Sequence, residues 1–400
     1  MTTADQMPSL RRRTSTKWRS YAEDVLPMFI AEMDFPTPPA VKAALEAAVA
    51  NNDTGYAATA DRGAATAYAD FAAERWGWRP DPERIVYTTD VTVVIVEALR
   101  RLIGPGDGVV LTPPVYAPFY ALVAEAGGHP VEVPLQDDGA SYRLDLAGID
   151  AALATGARAV LLCNPHNPLG LVHSREELAE LAEIVENHGA HVVSDEIHAP
   201  LTHQGVTFTP YLSVSPAARH HGVAAASGSK AFNLAGLKAA MFVVDSEPMA
   251  RWLAAVPDAV SYRTGIMGLL ATREGFLHCT AWLDATIEVI QSNIDLLERE
   301  LAEKLPQVTL RRGRATYLAW LDMRALGWGE DPAEHAADHA RVALSSGPTF
   351  GTGGQGFARM NLACAPETVV EAVDRLRVAA DATTAQGTPS DSVDPGAAGA

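Results

Sequence analysis

The sequence predicts an α/β fold in which helices cover a mostly parallel sheet. Short apolar runs alternate with helical patterns along the chain, and the apolar run that contains Val192-Val193 directly follows the helix predicted over residues 178–187. The chain has 400 residues and is 48% hydrophobic. This is enough to bury the cores of one large and one smaller domain.

Four apolar runs are the strand candidates, and they lie at residues 108–111, 131–133, 159–163 and 191–195. Ser174 and Glu177 have the spacing of a capping box, which predicts the N-terminus of the helix over 178–187. A longer helical pattern covers residues 282–305.

We expect a large domain at about residues 41–275 and a smaller α+β domain that joins residues 12–40 with residues 276–382. The long helix makes the transition between them. From about residue 383 to residue 400 the chain is rich in Ala, Gly, Ser, Thr and Pro. We expect this tail to be disordered because it has too little apolar surface to fold.

The formal net charge of −18 argues against nucleic acid and against an anionic membrane as partners. No apolar run is long enough to span a membrane, and Arg11-Arg12-Arg13 precede polar residues rather than the apolar segment of a secretory signal.

The three cysteines have neither metal-ligand spacing nor even pairing, which predicts a reducing cytoplasm. His335 and His339 have helical spacing but lack a third ligand, so we expect a solvated helix face and no metal site.

Two residues indicate the chemistry. Asp195 closes the apolar run 191–195, and Lys230 follows the small residues Ser227-Gly228-Ser229 in a turn. Alone, such an aspartate is also typical of a helix cap and such a lysine of an exposed turn. Together they fit pyridoxal phosphate, because a primary amine holds the cofactor aldehyde as a Schiff base and a carboxylate keeps the pyridine nitrogen protonated. Asn164 ends the preceding apolar run, and strand ends of such sheets meet in one crevice, so we expect it beside Asp195.

At this point the chain resembles the fold-type I, aminotransferase-like enzymes that depend on pyridoxal phosphate. Within them it resembles the bacterial cystathionine β-lyase type of C–S lyase, the MalY/PatB type. The matching stretches run from about residue 14 to residue 380 and lie at 16–18, 26–28, 31–35, 114–119, 163–168, 194–198, 229–237, 315–320 and 350–361. The resemblance implies a large domain with a mostly parallel seven-stranded sheet, and pyridoxal 5'-phosphate as the cofactor.

The resemblance also implies roles for individual residues. Lys230 carries the cofactor and then moves the proton at the substrate Cα, while Asp195 pairs with the pyridinium. Asn164 and His198 hydrogen-bond the phenolic oxygen of the cofactor. Tyr116 stacks on the ring, where its flat face orients the ring plane.

Further residues are implied at the phosphate. Ser227, Ser229 and Lys238 offer two hydroxyl donors and one charge. Tyr56 reaches the phosphate of the neighbouring subunit, so the active unit is a homodimer with shared active sites.

The segment 89–92 departs from the family pattern, because many relatives have Pro-Gly-Val where this chain has Thr89-Asp90-Val91-Thr92. Val91 and Thr92 start a helix whose backbone amides bind the phosphate, and Thr92 adds a hydroxyl. Asp90 brings a negative charge to this place. We expect its carboxylate to cap the helix and to point away from the ligand.

Arg359 is implied as the anchor of the substrate α-carboxylate, together with Asn164, because a guanidinium fork matches a carboxylate. A solvated surface arginine is the alternative interpretation. The glycines at 351, 353, 354 and 356 resemble a dinucleotide loop only superficially, since no strand-turn-helix unit surrounds them. We expect them to let a loop approach the substrate closely.

The resemblance implies β-elimination of cystathionine or another S-substituted L-cysteine to a thiol, pyruvate and ammonia. Three alternatives stay open: an aminotransferase; an enzyme of secondary metabolism that cleaves, or decarboxylates and oxidatively deaminates, a bulky cysteine adduct; and a regulatory protein. No second arginine is evident for a dicarboxylic substrate. A regulator usually carries an added DNA-binding domain, and only about a dozen residues precede the first matching motif.

Overall fold

The computed structural model describes residues 3–139 and 141–387, with side chains as far as residue 383. The strands are β1 Leu26–Pro27, β2 Ile85–Thr88, β3 Gly108–Leu111, β4 His129–Glu132, β5 Gln136–Asp137, β6 Tyr142–Arg143, β7 Ala157–Cys163, β8 His191–Asp195, β9 Gly222–Ala226, β10 Ala240–Val243, β11 Thr309–Arg311, β12 Leu318–Asp322, β13 Val342–Ala343, β14 Ser345–Ser346 and β15 Phe357–Asn361.

The α-helices are α1 Met7–Leu10, α2 Thr16–Arg19, α3 Pro39–Ala50, α4 Gly63–Trp76, α5 Val91–Leu102, α6 Pro118–Glu125, α7 Leu146–Ala154, α8 Arg175–Asn187, α9 Pro216–His221, α10 Glu247–Leu253, α11 Asp258–Tyr262, α12 Ile266–His278, α13 Thr280–Lys304, α14 Pro332–His335 and α15 Pro366–Gly387. A π-helix, Ala336–Ala340, follows α14.

Seven strands form the central sheet in the order β2-β10-β9-β8-β7-β3-β4. β10 is antiparallel to both of its neighbours, and every other pair in the sheet is parallel. The predicted mostly parallel seven-stranded sheet is therefore confirmed. Cys163 at the end of β7 lies opposite Asp195 at the end of β8, and the backbone N–H of Asn164 donates to the Asp195 carbonyl at 2.9 Å. The sequence order thus brings both residues to one edge of the sheet.

Both faces of the central sheet are covered, which explains why β3, β9 and β10 carry no polar side chain. In β7, Leu161 faces the core shared with α5 and α6, while its neighbour Leu162 faces the core shared with α7 and α8. Both leucines are fully buried. Burial of one leucine side chain contributes about 2 kcal/mol.

A four-stranded antiparallel sheet, β11-β12-β15-β14, forms a second layer. Helix α14 packs on β14 and β15, and α13 packs on α15. Trp320 of β12 stacks on Phe357 of β15, with ring centroids 5.2 Å apart. The helical pattern predicted over 282–305 corresponds to α13. Helix α15 continues to Gly387, past residue 383 where the tail is predicted to begin, and residues 388–400 lie outside the described residues. The division into two domains stays a prediction.

The capping box predicted at Ser174 is present. The Ser174 hydroxyl accepts from the Glu177 N–H at 3.1 Å, and α8 begins at Arg175. The Glu177 carboxylate is in turn hydrogen-bonded to the Ser174 backbone. It also accepts from the Leu144 N–H at 2.7 Å and contacts His173 Nδ1 at 3.0 Å. A distant partner, Leu144, therefore adds to the local one.

The structure bears on the predictions about membrane spans, the histidine pair and the cysteines. No helix in the ranges 3–139 and 141–387 combines the length and apolar character that a membrane crossing needs. His335 does not lie on a freely solvated helix face, because its ring stacks on Trp328 and contacts His339, each at 4.3 Å between centroids. Cys163, Cys279 and Cys364 are buried free thiols.

Candidate active site

One cavity of about 280 Å³ opens at the edge of the central sheet where β7 and β8 end. Most of the predicted site residues line it. These are Val91, Thr92, Tyr116, Asp195, His198, Ser229, Lys230, Lys238 and Arg359. Residues from distant parts of the sequence therefore meet around one volume, as convergence of strand ends in α/β sheets predicts.

Lys230 lies in the turn that follows β9. Its ammonium donates to the Ala31 carbonyl at 2.8 Å. Burial, and then the charge of Arg359, lower the pKa of Lys230 to about 8. A partly buried lysine with a lowered pKa is a better nucleophile at neutral pH than an exposed one, because more of it is uncharged.

Asp195 ends β8 and is 5% exposed. Its Oδ1 accepts from the Ile197 N–H at 3.1 Å, a local hydrogen bond that fixes the direction of the carboxylate. Burial raises the pKa of Asp195 to about 6, and the positive charge of Lys230 acts in the opposite direction. A cationic ring nitrogen in the cavity would further favour the ionised carboxylate.

Asn164 and His198 provide the fit test for the predicted cofactor. Both are fully buried, and Asn164 Oδ1 and His198 Nδ1 have no hydrogen-bond partner within the described structure. Burial, and then the charges of Lys230 and Arg359, hold the pKa of His198 well below its ordinary value, so the imidazole is neutral. Unpaired buried polar atoms cost free energy unless a ligand pairs with them. His198 lines the cavity, so an oxygen-bearing ring there fits it. Asn164 does not line the cavity, and its Nδ2 donates to the Thr209 carbonyl at 3.2 Å.

Tyr116 supplies the aromatic wall of the cavity. Its ring makes an edge-to-face contact with Phe119, at 5.6 Å and 83°. Such a contact fixes the ring orientation. Tyr116 thus presents an oriented ring to the cavity, and its stacking on the cofactor stays a prediction.

Asp90, Val91 and Thr92 form the N-terminal start of α5. Asp90 is the N-cap, since its side chain accepts from the Val93 N–H at 3.1 Å, and this part of the prediction is confirmed. The expectation that its carboxylate points away is wrong. Asp90 lines the cavity, and its Oδ2 contacts Lys238 Nζ at 3.3 Å because Lys238 lies across the helix start.

Ser227 and Tyr56 do not line the cavity. The Ser227 hydroxyl donates to the Ala239 carbonyl at 2.7 Å and accepts from the Ser229 N–H at 3.0 Å, so in this structure it shapes the turn before Lys230. Tyr56 is 92% exposed. A single chain does not test its predicted contact with a neighbouring subunit.

Arg359 projects from β15 and is only 6% exposed, which excludes the interpretation as a surface arginine. Nη1 donates to Asn167 Oδ1 at 2.9 Å. Nη2 donates to the Phe29 carbonyl at 2.8 Å and to Ser345 Oγ at 2.9 Å. Burial lowers the pKa of Arg359 to about 10, and its Nε lacks a partner within the described residues. The guanidinium is thus held firmly and has capacity left for an anion.

Sequence reasoning missed the segment 29–35 and Tyr317. The Ala31 carbonyl accepts both from Lys230 Nζ and from the Tyr317 hydroxyl, the latter at 3.0 Å. Asn167 was also missed, although it orients Arg359. Ala31, Asn167 and Tyr317 lie inside the matching motifs, but a backbone carbonyl leaves no residue-type signal in a sequence.

The glycine-rich loop does not reach the cavity, so the expectation of close approach to the substrate is wrong. Gly351 adopts φ +86°, and a Cβ there would lie 1.8 Å from the Tyr120 hydroxyl. A Cβ on Gly353 would meet Pro114 at 3.5 Å. The glycines instead let the loop pack against the edge of the sheet.

The fold and this cavity define a fold-type I enzyme site, and comparisons with known proteins agree. The family model described as "Aminotransferase class I and II" matches residues 23–376. The chain therefore belongs to the aminotransferase class I and II family. The family predicted from the motifs is thereby confirmed.

Three relatives narrow the comparison. A Mycobacterium leprae protein named "Putative cystathionine beta-lyase" is 42% identical, over 92% of this chain and 95% of its own length. The cystathionine beta-lyase PatB of Bacillus subtilis is 34% identical, over 91% of this chain and 96% of its own length. The crystal structure of cystalysin from Treponema denticola, which contains pyridoxal 5'-phosphate, is 26% identical with a TM-score of 0.89, over 96% of this chain and 98% of that one.

Proposed function

We propose that this protein is a pyridoxal phosphate-dependent C–S lyase that converts an S-substituted L-cysteine, such as cystathionine, and water to a thiol, pyruvate and ammonia. The observation that carries the proposal is the meeting of Lys230, Asp195 and Arg359 in one buried cavity. Relatives named for the same reaction, at 34% to 42% identity over most of the chain, support it.

The cofactor, when bound, supplies an aldehyde that takes up amines and a pyridine ring that withdraws electrons from the substrate Cα. Lys230 is the residue that would hold the aldehyde. Its amine would also take the proton from the substrate Cα, a role for which a pKa of about 8 is suited. Asp195 holds the proton on the ring nitrogen. The Cβ–S bond then breaks and the sulfur leaves as thiolate.

Arg359 orients the substrate. Its guanidinium binds the α-carboxylate, and Asn167, Phe29 and Ser345 prevent it from turning away. When the α-carboxylate and the amine of the substrate are both held in place, the only motion left to the Cα–H bond is rotation toward Lys230. This positioning lowers the entropy cost of the proton transfer.

Asn164 and His198 bind the phenolic oxygen of the cofactor, and Tyr116 packs on its ring. Val91, Thr92, Ser227, Ser229 and Lys238 serve the phosphate, with Ser227 acting through the turn that it shapes. The exposed Tyr56 completes the site of a second copy, so the active unit is a homodimer. The three buried free thiols suit a reducing cytoplasm.

The experiment that tests this function is incubation of the purified protein with L-cystathionine and, separately, with S-alkyl cysteines. Pyruvate and free thiol are assayed together. Equal amounts of both establish the C–S lyase. Conversion of the cofactor to its amine form without pyruvate would move the assignment to an aminotransferase.

A further inference from the structure

The N-terminus of α5 already holds an anion, and that anion is part of the chain. Asp90 Oδ1 accepts from the Val93 N–H at 3.1 Å and from the Thr92 hydroxyl. Asp90 Oδ2 lies 3.3 Å from Lys238 Nζ. The Asp90 carboxylate therefore interacts with a backbone N–H, a hydroxyl and an ammonium group at the same time.

These donors are the ones that suit a phosphate. A helix start favours anions through its free N–H groups and its dipole, and a lysine adds a charge. Three cationic side chains line the cavity. Lys230 donates to the Ala31 carbonyl, and Arg359 donates to Asn167. Of the three cations, Lys238 is therefore the one left to bind a phosphate.

The Asp90 carboxylate is charged at neutral pH. Burial raises the pKa of Asp90, but the hydrogen bonds from Thr92 and Val93 and the charge of Lys238 outweigh burial and hold the pKa below its ordinary value. The side chain is 31% exposed, so water screens it only in part. A phosphate at the same donors meets a like charge there.

We propose that Asp90 is an internal competitor of the cofactor phosphate, which must displace its carboxylate from Thr92 and Lys238. The inference rests on the proposed function, because it requires a phosphate-bearing cofactor. Asp90 thereby sets the affinity for the cofactor. The start of α5, the Thr92 hydroxyl and Lys238 bind the phosphate less tightly than they would without the Asp90 carboxylate. The protein is thereby tuned to release its cofactor more readily.

The test compares Asp90→Asn with the wild type, using full-length protein freed of cofactor and titrated by visible absorbance. Asparagine caps a helix as well as aspartate does but carries no charge. We expect Asp90→Asn to bind pyridoxal phosphate about tenfold more tightly, since tenfold corresponds to ~1.4 kcal/mol of relieved repulsion. Pyridoxal, which lacks the phosphate, serves as the second probe, and its affinity is expected to stay unchanged.

Asp145→Asn is the matched control. Asp145 caps α7 by accepting from the Gly148 N–H at 3.1 Å, and it does not line the cavity. Its replacement is expected to leave both affinities unchanged. Asp90→Ser, which also keeps a cap, repeats the test if the asparagine variant proves unstable.

Equal or weaker binding of pyridoxal phosphate by the Asp90 variants would overturn the competition and leave the proposed function intact. An equal gain for pyridoxal would also overturn it, because the effect would then not involve the phosphate. Failure of the wild-type protein to bind pyridoxal phosphate would overturn both the proposed function and this inference.

Discussion

Lys230, which is partly buried, and Arg359, which is buried, are two cations that share one cavity, and both are held by neutral acceptors. Lys230 donates to the Ala31 carbonyl, and Arg359 donates to Asn167, Phe29 and Ser345. Each charge therefore retains much of its attraction for an anion. The arrangement suits a ligand that brings a carboxylate of its own.

Lys230→Ala is expected to abolish the yellow visible absorbance of the protein incubated with pyridoxal phosphate, and with it the lyase activity. In the proposed function this amine holds the cofactor aldehyde, and alanine removes it. Lys42→Ala, at a lysine whose side chain is 66% exposed, serves as the control and should keep both. Retained absorbance in the Lys230 variant would mean that another lysine holds the cofactor.

The rate at which cofactor-free protein takes up pyridoxal phosphate should rise with pH, with a midpoint at about pH 8 and a plateau about one pH unit higher. Only the uncharged amine adds to an aldehyde, and the pKa of Lys230 is lowered to about 8 from 10.5. Arg359→Leu removes the cationic neighbour and keeps an apolar side chain there. The midpoint should then move to higher pH, whereas an unmoved midpoint would exclude an effect of Arg359 on Lys230.

Arg359→Ala should raise the KM for amino acid substrates on the order of 10²-fold, because a charge-assisted hydrogen-bond pair of about 3 kcal/mol is lost. Steady-state kinetics with cystathionine measures it, and retained visible absorbance shows that the variant is folded. Arg312→Ala, at an arginine paired with Asp295 and Glu298 on the surface, is the control. An unchanged KM would remove Arg359 from the substrate site.

Asp195→Asn should lower kcat on the order of 10²-fold while the protein stays yellow. The amide oxygen still accepts from the Ile197 N–H, but a neutral amide no longer stabilises a protonated ring, an effect of about two pKa units. Single-turnover absorbance changes report the loss at the proton-transfer step. If kcat were unchanged, the ring nitrogen would lie elsewhere.

Lys17→Met should lower the free energy of unfolding by about 3–5 kcal/mol, measured in urea. Lys17 Nζ lies 2.7 Å from Asp34 Oδ1, and both side chains are buried. The single change leaves a buried carboxylate without its cation. Lys17→Met combined with Asp34→Leu should recover most of the loss, and a double variant no more stable than the single one would contradict this explanation.

The sequence was informative where function depends on residue type and uninformative where it depends on distance in space. Lys230 and Asp195 were predictable because the chemistry needs an amine and a carboxylate at a strand end. The cap at Asp90 was predictable because it is local. Its contact with Lys238 was not, because the two residues are 148 positions apart and only the folded chain brings them together. The Ala31 carbonyl was unpredictable for the same reason.

The hydrogen bond from Arg359 to the Phe29 carbonyl joins positions that are 330 residues apart. During synthesis, the early segment 29–35 therefore has to wait for β15 to leave the ribosome before this side of the cavity can close. Such late, long-range contacts make assembly slow and expose apolar surface meanwhile. Premature termination before β15 would yield a chain that retains Lys230 and Asp195 but lacks Arg359.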